Sequence, residues 1–337
     1  MNYSSYSNKA LKDIARLRRR ISQSKLPGKI SDHNLIIATW NIQKFGQIYP
    51  KWSENPNSPK RNKRGLAIIA EIIRRFDVVA LQEVMRDYSG LRMLLEDFLG
   101  ANWGLILSDV TAGDPGNSER LAFLYDKRRV EPSGLAGEIV LPAKEDGNPV
   151  TQFARTPYIV GFKAGNTSFA LLTTHILYGE SEEDRIPELQ AMADFVANEI
   201  RDRAISANQD ESNLIVLGDF NISTRGENPL FQAFRSTGLI VPPQLTNVKT
   251  TVGKTAKHYD QIAWFMDKLD LTYNNAANAI DFTGAVYREL RSNQLPSRVS
   301  DHFPLWVEFI IDRSQEEIGQ ELGLDAMGMD ALSADMD

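Results

Sequence analysis

Six apolar stretches of this 337-residue chain begin or end in side chains that are costly to bury without a partner. Asn41 closes LIIATW, Glu83 follows VVALQ, and His175 closes FALLTT. Asp219 and Asn221 follow LIVLG, Asp260 sits in YDQIAWF, and Asp301 and His302 stand side by side before FPLWVEF. One such residue would be a turn or a cap. Their repetition points to convergence on the rim of a sheet. Carboxylates and amides are hard oxygen ligands that suit magnesium, which usually takes only one or two protein carboxylates. Imidazoles beside carboxylates suit proton transfer or the stabilisation of charge on an anion. The chain has no cysteine and no HExxH, so zinc–thiolate, disulfide and zincin chemistry are not indicated. Neither a GxxxxGK[ST] nor a GxGxxG strand-turn-helix occurs.

The elements that must position these groups can be read from hydrophobic period. Helices are expected over 8–22, 65–76, 89–99, 184–203, 229–236 and 283–292. Strands are expected over 35–39, 78–82, 103–108, 119–126, 150–154, 158–164, 168–176, 213–220, 258–265, 269–273 and 304–311. Strands outnumber helices and no Gly- or Ser-rich linker divides the chain, so a single α/β domain follows. LIIATWNI (35–42) and LIVLGDFNI (214–222) echo one another. Two similar β-α units packed sheet against sheet would bring both strand ends to one rim.

Composition is ordinarily globular, with 42% hydrophobic and 24% charged residues and a net charge of −6. No apolar run approaches the roughly 18 residues of a membrane span, and the basic N-terminus lacks the apolar core of a secretory signal. With no cysteine, these features predict a cytoplasmic protein with no membrane partner. Charge is uneven: residues 1–30 carry eight Lys and Arg against Asp13 alone, and residues 312–337 carry eight acids against Arg313 alone. The expected organisation is a basic helical extension (1–30), a catalytic domain (31–311) and an acidic tail (312–337). The two ends are candidate docking elements for a regulatory partner or a defence trigger that gates activity.

In that order and spacing, WNIQ, LQEV, TTH, GDFN, YDQI and SDH resemble the endonuclease/exonuclease/phosphatase superfamily, over roughly residues 34–311. NSERLAFLYD (117–126), FARTPYIVGF (153–162) and LQEVMRD look most like its deoxyribonuclease I branch. The resemblance implies a four-layer αββα sandwich, two mixed sheets flanked by helices. It implies Glu83 as the principal magnesium ligand with Asn41 and Asp301 beside it, manganese being a possible substitute. Asp219 and Asn221 would position the water and the scissile phosphate. His302 would pair with Asp260 and His175 with Glu119, and Arg155 would hold a phosphate oxygen. Metal, cations and an oriented water are what hydrolysis of an anionic phosphodiester requires.

Substrate is less legible, because this fold serves many phosphate esters. The basic loop 47–65 hangs from the strand end carrying Asn41. Its Lys60, Arg61 and Arg64, with Lys51, Lys63, Tyr49 and Trp52, are expected to grip a polyanion backbone. The expectation is a magnesium-dependent DNA endonuclease of low sequence specificity. The alternatives are a phosphodiesterase or phosphatase for a lipid head group or small phosphate, and a catalytically silent binding module.

Overall fold

The two echoing apolar runs become the central strands of two sheets. A computed structural model describes residues 3–113, 116–143, 151–201, 213–255, 257–266, 269, 271–312 and 314–323. The first run forms β1 (Asn34–Phe45), parallel to β2 (Val78–Met85) through the crossover helix α2 (Lys63–Ile73). β1 is longer than the expected 35–39, so Asn41 lies within the strand. The strands β3 (Trp103–Leu107), β4 (Glu119–Asp126), β10 (Thr272–Ala279) and β11 (Leu305–Ile310) complete the sheet in the order β10-β11-β1-β2-β4-β3.

The second sheet repeats the scheme. β7 (Thr167–His175) runs parallel to β8 (Leu214–Asp219), with helix α4 (Ile186–Phe195) between them in the chain. β5 (Glu131–Glu138), β6 (Tyr158–Ala164) and β9 (Asp260–Trp264) give the order β5-β6-β7-β8-β9. Alternation along each strand sends residues to two apolar layers. Leu35 and Ile37 of β1 meet Phe162, Phe169, Leu217 and Ile262 between the sheets, whereas Ile36, Ala38 and Trp40 face the helices. α1 (Asn8–Gln23), α2 and α3 (Ser89–Met93) cover the first sheet; α4 and α5 (Pro229–Arg235) cover the second. Covering on both faces is why the central strands are unbroken apolar runs rather than alternating ones. The architecture is the expected αββα sandwich.

Five local readings need correction. Residues 283–292 form turns, not a helix, and Tyr287 there has a φ of 48°. Residues 151–154 are not a strand, position 150 lying outside the described residues. The strand expected at 269–273 runs instead over Thr272–Ala279. β5 was not anticipated: EPSGLAGE combines Pro with two Gly, a composition tolerated because β5 is an edge strand. The helix expected over 184–203 starts at Ile186 and passes into a wider turn, Val196–Arg201; residues 202–212 lie outside the described ones.

α1 is an integral layer. Ile14, Leu17 and Ile21 enter the core, and Arg18 forks onto the buried Glu71 with two 2.8 Å bonds. At the end of the sandwich where β1 begins, Lys29 reaches Asp126 (2.7 Å) and Asp77 (3.1 Å), and Arg129 reaches Asp77 (2.6 Å). Burial alone would raise the Asp126 carboxyl, but hydrogen bonds from Arg128 and Lys29 hold it far below the ordinary range. A carboxyl depressed in the folded state stabilises above its unfolded pKa of about 4, and that stability is lost as pH falls. We expect the urea midpoint to drop below about pH 4, and Asp126→Asn to be less stable at pH 7 with a shallower acid limb. A parallel acid limb in the variant would refute this account.

Candidate active site

Strand register assembles the first half of the site. His175, Asp219 and Asp260 lie directly opposite one another across β7, β8 and β9. Gly218 permits this approach, since a Cβ there would stand 2.2 Å from the Thr174 carbonyl oxygen. The other sheet supplies Asn41 and Glu83 from the C-terminal halves of β1 and β2, and Asp301 and His302 from the segment entering β11. A bond between the two echoing strands joins the halves: Asn41 Nδ2 donates to Asp219 Oδ2 at 2.9 Å.

Asp219 Oδ2 is the focus. His175 Nε2 lies 3.7 Å from it and His302 Nε2 3.8 Å. Each imidazole is backed by a carboxylate on its other nitrogen: His175 Nδ1 to Glu119 Oε2 at 2.9 Å, His302 Nδ1 to Asp260 Oδ2 at 2.8 Å. Burial would lower His302, but Asp260 and Asp219 push it up to about 10. Burial opposes the charge on His175 as well, and the Glu119 hydrogen bond and Asp219 outweigh it. Asp219 is held down, against its burial, chiefly by the two imidazoles. The arrangement is an ionised carboxylate facing two imidazole N–H groups.

Beside this lies a second acidic group. Asn41 Nδ2 also donates to Glu83 Oε1 (2.9 Å), and Glu83 Oε2 accepts from Lys44 N (2.9 Å). Glu83 has a φ of 60°, strain that aims its side chain at the rim. Asp301 Oδ2 accepts from Gln43 Nε2 at 3.0 Å, while its buried Oδ1 has no partner. Burial raises the Asp301 carboxyl and the charge of Glu83 adds to this. Oxygen donors gathered with an orphaned carboxylate oxygen fit a hard divalent cation. Asp219, Asp260 and His302 also place ligand atoms within 4.8 Å of one another. That trio fits less well, because His302 Nδ1 is already engaged by Asp260 and Nε2 faces Asp219 as a donor.

Arg155 is buried against Glu119, Nε to Oε2 at 2.7 Å, and its Nη1 has no hydrogen-bond partner. Asn221, with a φ of 51°, spends its side-chain N–H on Ile176 O at 2.7 Å. It therefore ties the loop after Asp219 to the loop after His175 with one of its two amide hydrogens.

The basic loop behaves differently from its expected role. Arg61 is buried, and its Nη2 donates to the carbonyls of Ile42 (2.7 Å), Gln43 (2.9 Å) and Val299 (2.8 Å). It clamps the segments carrying Asn41 and Asp301 from beneath. Arg64 is buried against Asp13, Glu289 and the Tyr287 ring. Lys60 Nζ donates to Asn55 O (3.1 Å) and Pro56 O (2.6 Å), and Trp52 packs on Tyr6. As a phosphate grip, Arg61 and Arg64 are corrected to structural cations, whereas Lys60 is half-exposed and bound to its own loop. A long side chain can reach inward as readily as outward, and burial of paired acids draws it in. Arg64→Ala should cost about 2 kcal/mol, because the buried Asp13 loses its Arg64 partner and keeps only Arg16 and the Tyr287 N–H. A drop in urea midpoint with unchanged KM for substrate is the expected pair of results; the reverse pair would restore the grip.

Several supporting residues escaped the sequence reading. Gln43 holds Asp301, and Ser300 Oγ donates to Asn41 O (2.6 Å) while accepting from His302 N (2.9 Å). Both sat inside quoted motifs, WNIQ and SDH, and were passed over. Glu188 accepts from Ala154 N and Leu177 N, both at 2.7 Å, joining the Arg155 and His175 loops. Nothing local marks it.

The sequence profile described as the Endonuclease/Exonuclease/phosphatase family matches residues 38–302. The chain belongs to that family. It is accordingly a hydrolase acting on phosphodiester bonds. Among its relatives is a deoxyribonuclease of Thioalkalivibrio sp. (strain K90mix), 29% identical over 293 residues, 82% of this chain and 71% of that protein. Deoxyribonuclease gamma of Rattus norvegicus is 26% identical over 298 residues, covering 84% of this chain and 86% of the relative. The human Nocturnin catalytic domain superposes with a TM-score of 0.53 at 17% identity, covering 83% of this chain and 95% of that one, and supports the family fold alone.

Proposed function

We propose that this family member is a divalent-metal-dependent DNA endonuclease of low sequence specificity. The observation that carries the chemistry is Asp219 Oδ2 set between two carboxylate-backed imidazoles, at 3.7 and 3.8 Å. Asn41, Glu83 and Asp301 would hold magnesium or manganese, and the cation would supply charge neutralisation at the phosphate. Asp219, kept ionised, accepts a proton from the attacking water and orients it. His302 and His175, held as N–H donors, stabilise the charge that develops on the phosphate oxygens and the leaving oxygen. Asp260 and Glu119 fix their orientation, and the unpaired Nη1 of Arg155 adds a cationic donor. DNA is favoured because deoxyribonucleases cover most of the chain at 29% and 26% identity.

A nicking assay on supercoiled plasmid tests the reading. Wild-type protein with Mg²⁺ should relax the plasmid, and chelation or Glu83→Ala should abolish relaxation. An inert plasmid together with rapid phosphate release from small phosphoesters would replace DNA with the small-substrate alternative.

We further propose an intracellular protein gated by a partner at the exposed basic face of α1 (Lys9, Lys12, Arg19) or at the acidic tail. Truncation after Asp312 with no change in activity or assembly would remove the tail from this role.

A further inference from the structure

Tyr178 is the most exposed Phe, Trp or Tyr among the described residues, at 55%. It lies three residues beyond His175, and its ring is held in place. The Arg185 guanidinium carbon sits 4.3 Å from the ring centroid and backs one face. Arg185 is itself buried and fixed, donating to Tyr178 O (2.5 Å) and to Asn221 O (2.7 Å). Tyr259 meets Tyr178 edge-on, centroids 6.2 Å apart at 84°, and lies 6.0 Å from the His302 ring. Lys257 Nζ stands 5.9 Å from the Tyr259 centroid. Rings in contact, with cations beside them, thus lead from the catalytic imidazole outward to Tyr178.

An apolar ring left in water beside a polyanion site, already locked in one orientation, loses little freedom on binding a flat partner. Nucleobases are such partners, and every base offers a face to stack on. We propose that Tyr178 is a base-stacking residue that gives this enzyme a preference for unpaired DNA. In a duplex the base faces are occupied by their neighbours, whereas a single strand, gap or frayed end can turn a base onto the ring. Arg185 and Tyr259 act as positioning residues for that ring. The proposal rests on the nuclease reading above.

The test compares wild-type protein with Tyr178→Ala, Tyr178→Leu and Tyr178→Trp. The substrates are a fluorescein-labelled single strand, the same sequence as a duplex, and a base-free strand of tetrahydrofuran phosphodiester units. Tyr178→Ala and Tyr178→Leu should raise KM for the single strand by roughly ten-fold, with kcat within about two-fold. Tyr178→Trp should restore it. The base-free strand should not distinguish the variants. Equal losses on the base-free strand, or no loss on the single strand, would overturn the proposal and leave the nuclease reading intact. Binding to His302→Ala protein, measured by anisotropy, separates the two ideas. Binding that weakens with Tyr178→Ala, in a protein whose wild type cleaves no DNA, would sink the nuclease reading and keep the stacking surface. Absence of both cleavage and binding would overturn both.

Discussion

Asp219→Asn is expected to lower DNA-nicking turnover by about three orders of magnitude while the protein still folds. The substitution preserves shape but not chemistry. Asp219 Oδ1 accepts from Asn221 N (2.9 Å) and Oδ2 from Asn41 Nδ2 (2.9 Å), so both oxygens already face donors. An amide must turn its NH₂ toward one of them. It also removes the negative charge between the two imidazoles and the acceptor for the proton of water. Loss of turnover and displacement of Asn41 therefore come from one change. Single-turnover nicking, with thermal melting as the control for folding, measures it. Turnover within ten-fold of wild type would mean that the water is oriented by another group.

The second large effect belongs to the His302–Asp260 pair, and its informative readout is non-additivity. His302→Ala should cost about 10²- to 10⁴-fold in turnover. Asp260→Asn should reach a large part of that loss, because the ring loses the acceptor that orients and charges it. The double variant should be hardly slower than His302→Ala, since the two residues act as a unit. Stability should move the other way. Asp260 is fully buried with Oδ1 unpartnered, so His302→Ala alone leaves an isolated carboxylate, at a cost of roughly 3 kcal/mol. Asp260→Asn added to it removes that charge, and the double variant should regain part of the urea midpoint. Additive losses in both rate and stability would show that the two side chains act independently.

The sequence by itself determined a single α/β domain with two similar units and which groups line its rim, and the order of its motifs implied the αββα sandwich through the family resemblance. Asn41, Glu83, His175 and Asp219 close apolar stretches, and Asp260, Asp301 and His302 open them. An apolar strand is buried wherever it goes, so its polar end must emerge at an edge, and parallel central strands put such ends on one side. The echo of β1 and β8 likewise foretold two similar units, whose meeting point is the Asn41–Asp219 bond. Tertiary structure alone decided the partners of long or loop-borne side chains. Nothing near Arg61 or Arg64 in the chain says that carbonyls at Ile42 and Val299, or a carboxylate at Asp13, will be within reach. The turn at Tyr287, read as helix from local pattern, is held by Asp13, 274 positions earlier. Tyr178 is the converse case. In the chain it is an unremarkable loop residue, and only Arg185, fixed by the backbone of Asn221, turns it into an oriented surface. Strand ends are set by period and burial, which are local. Where a flexible side chain comes to rest depends on distant partners, which only the folded chain brings together.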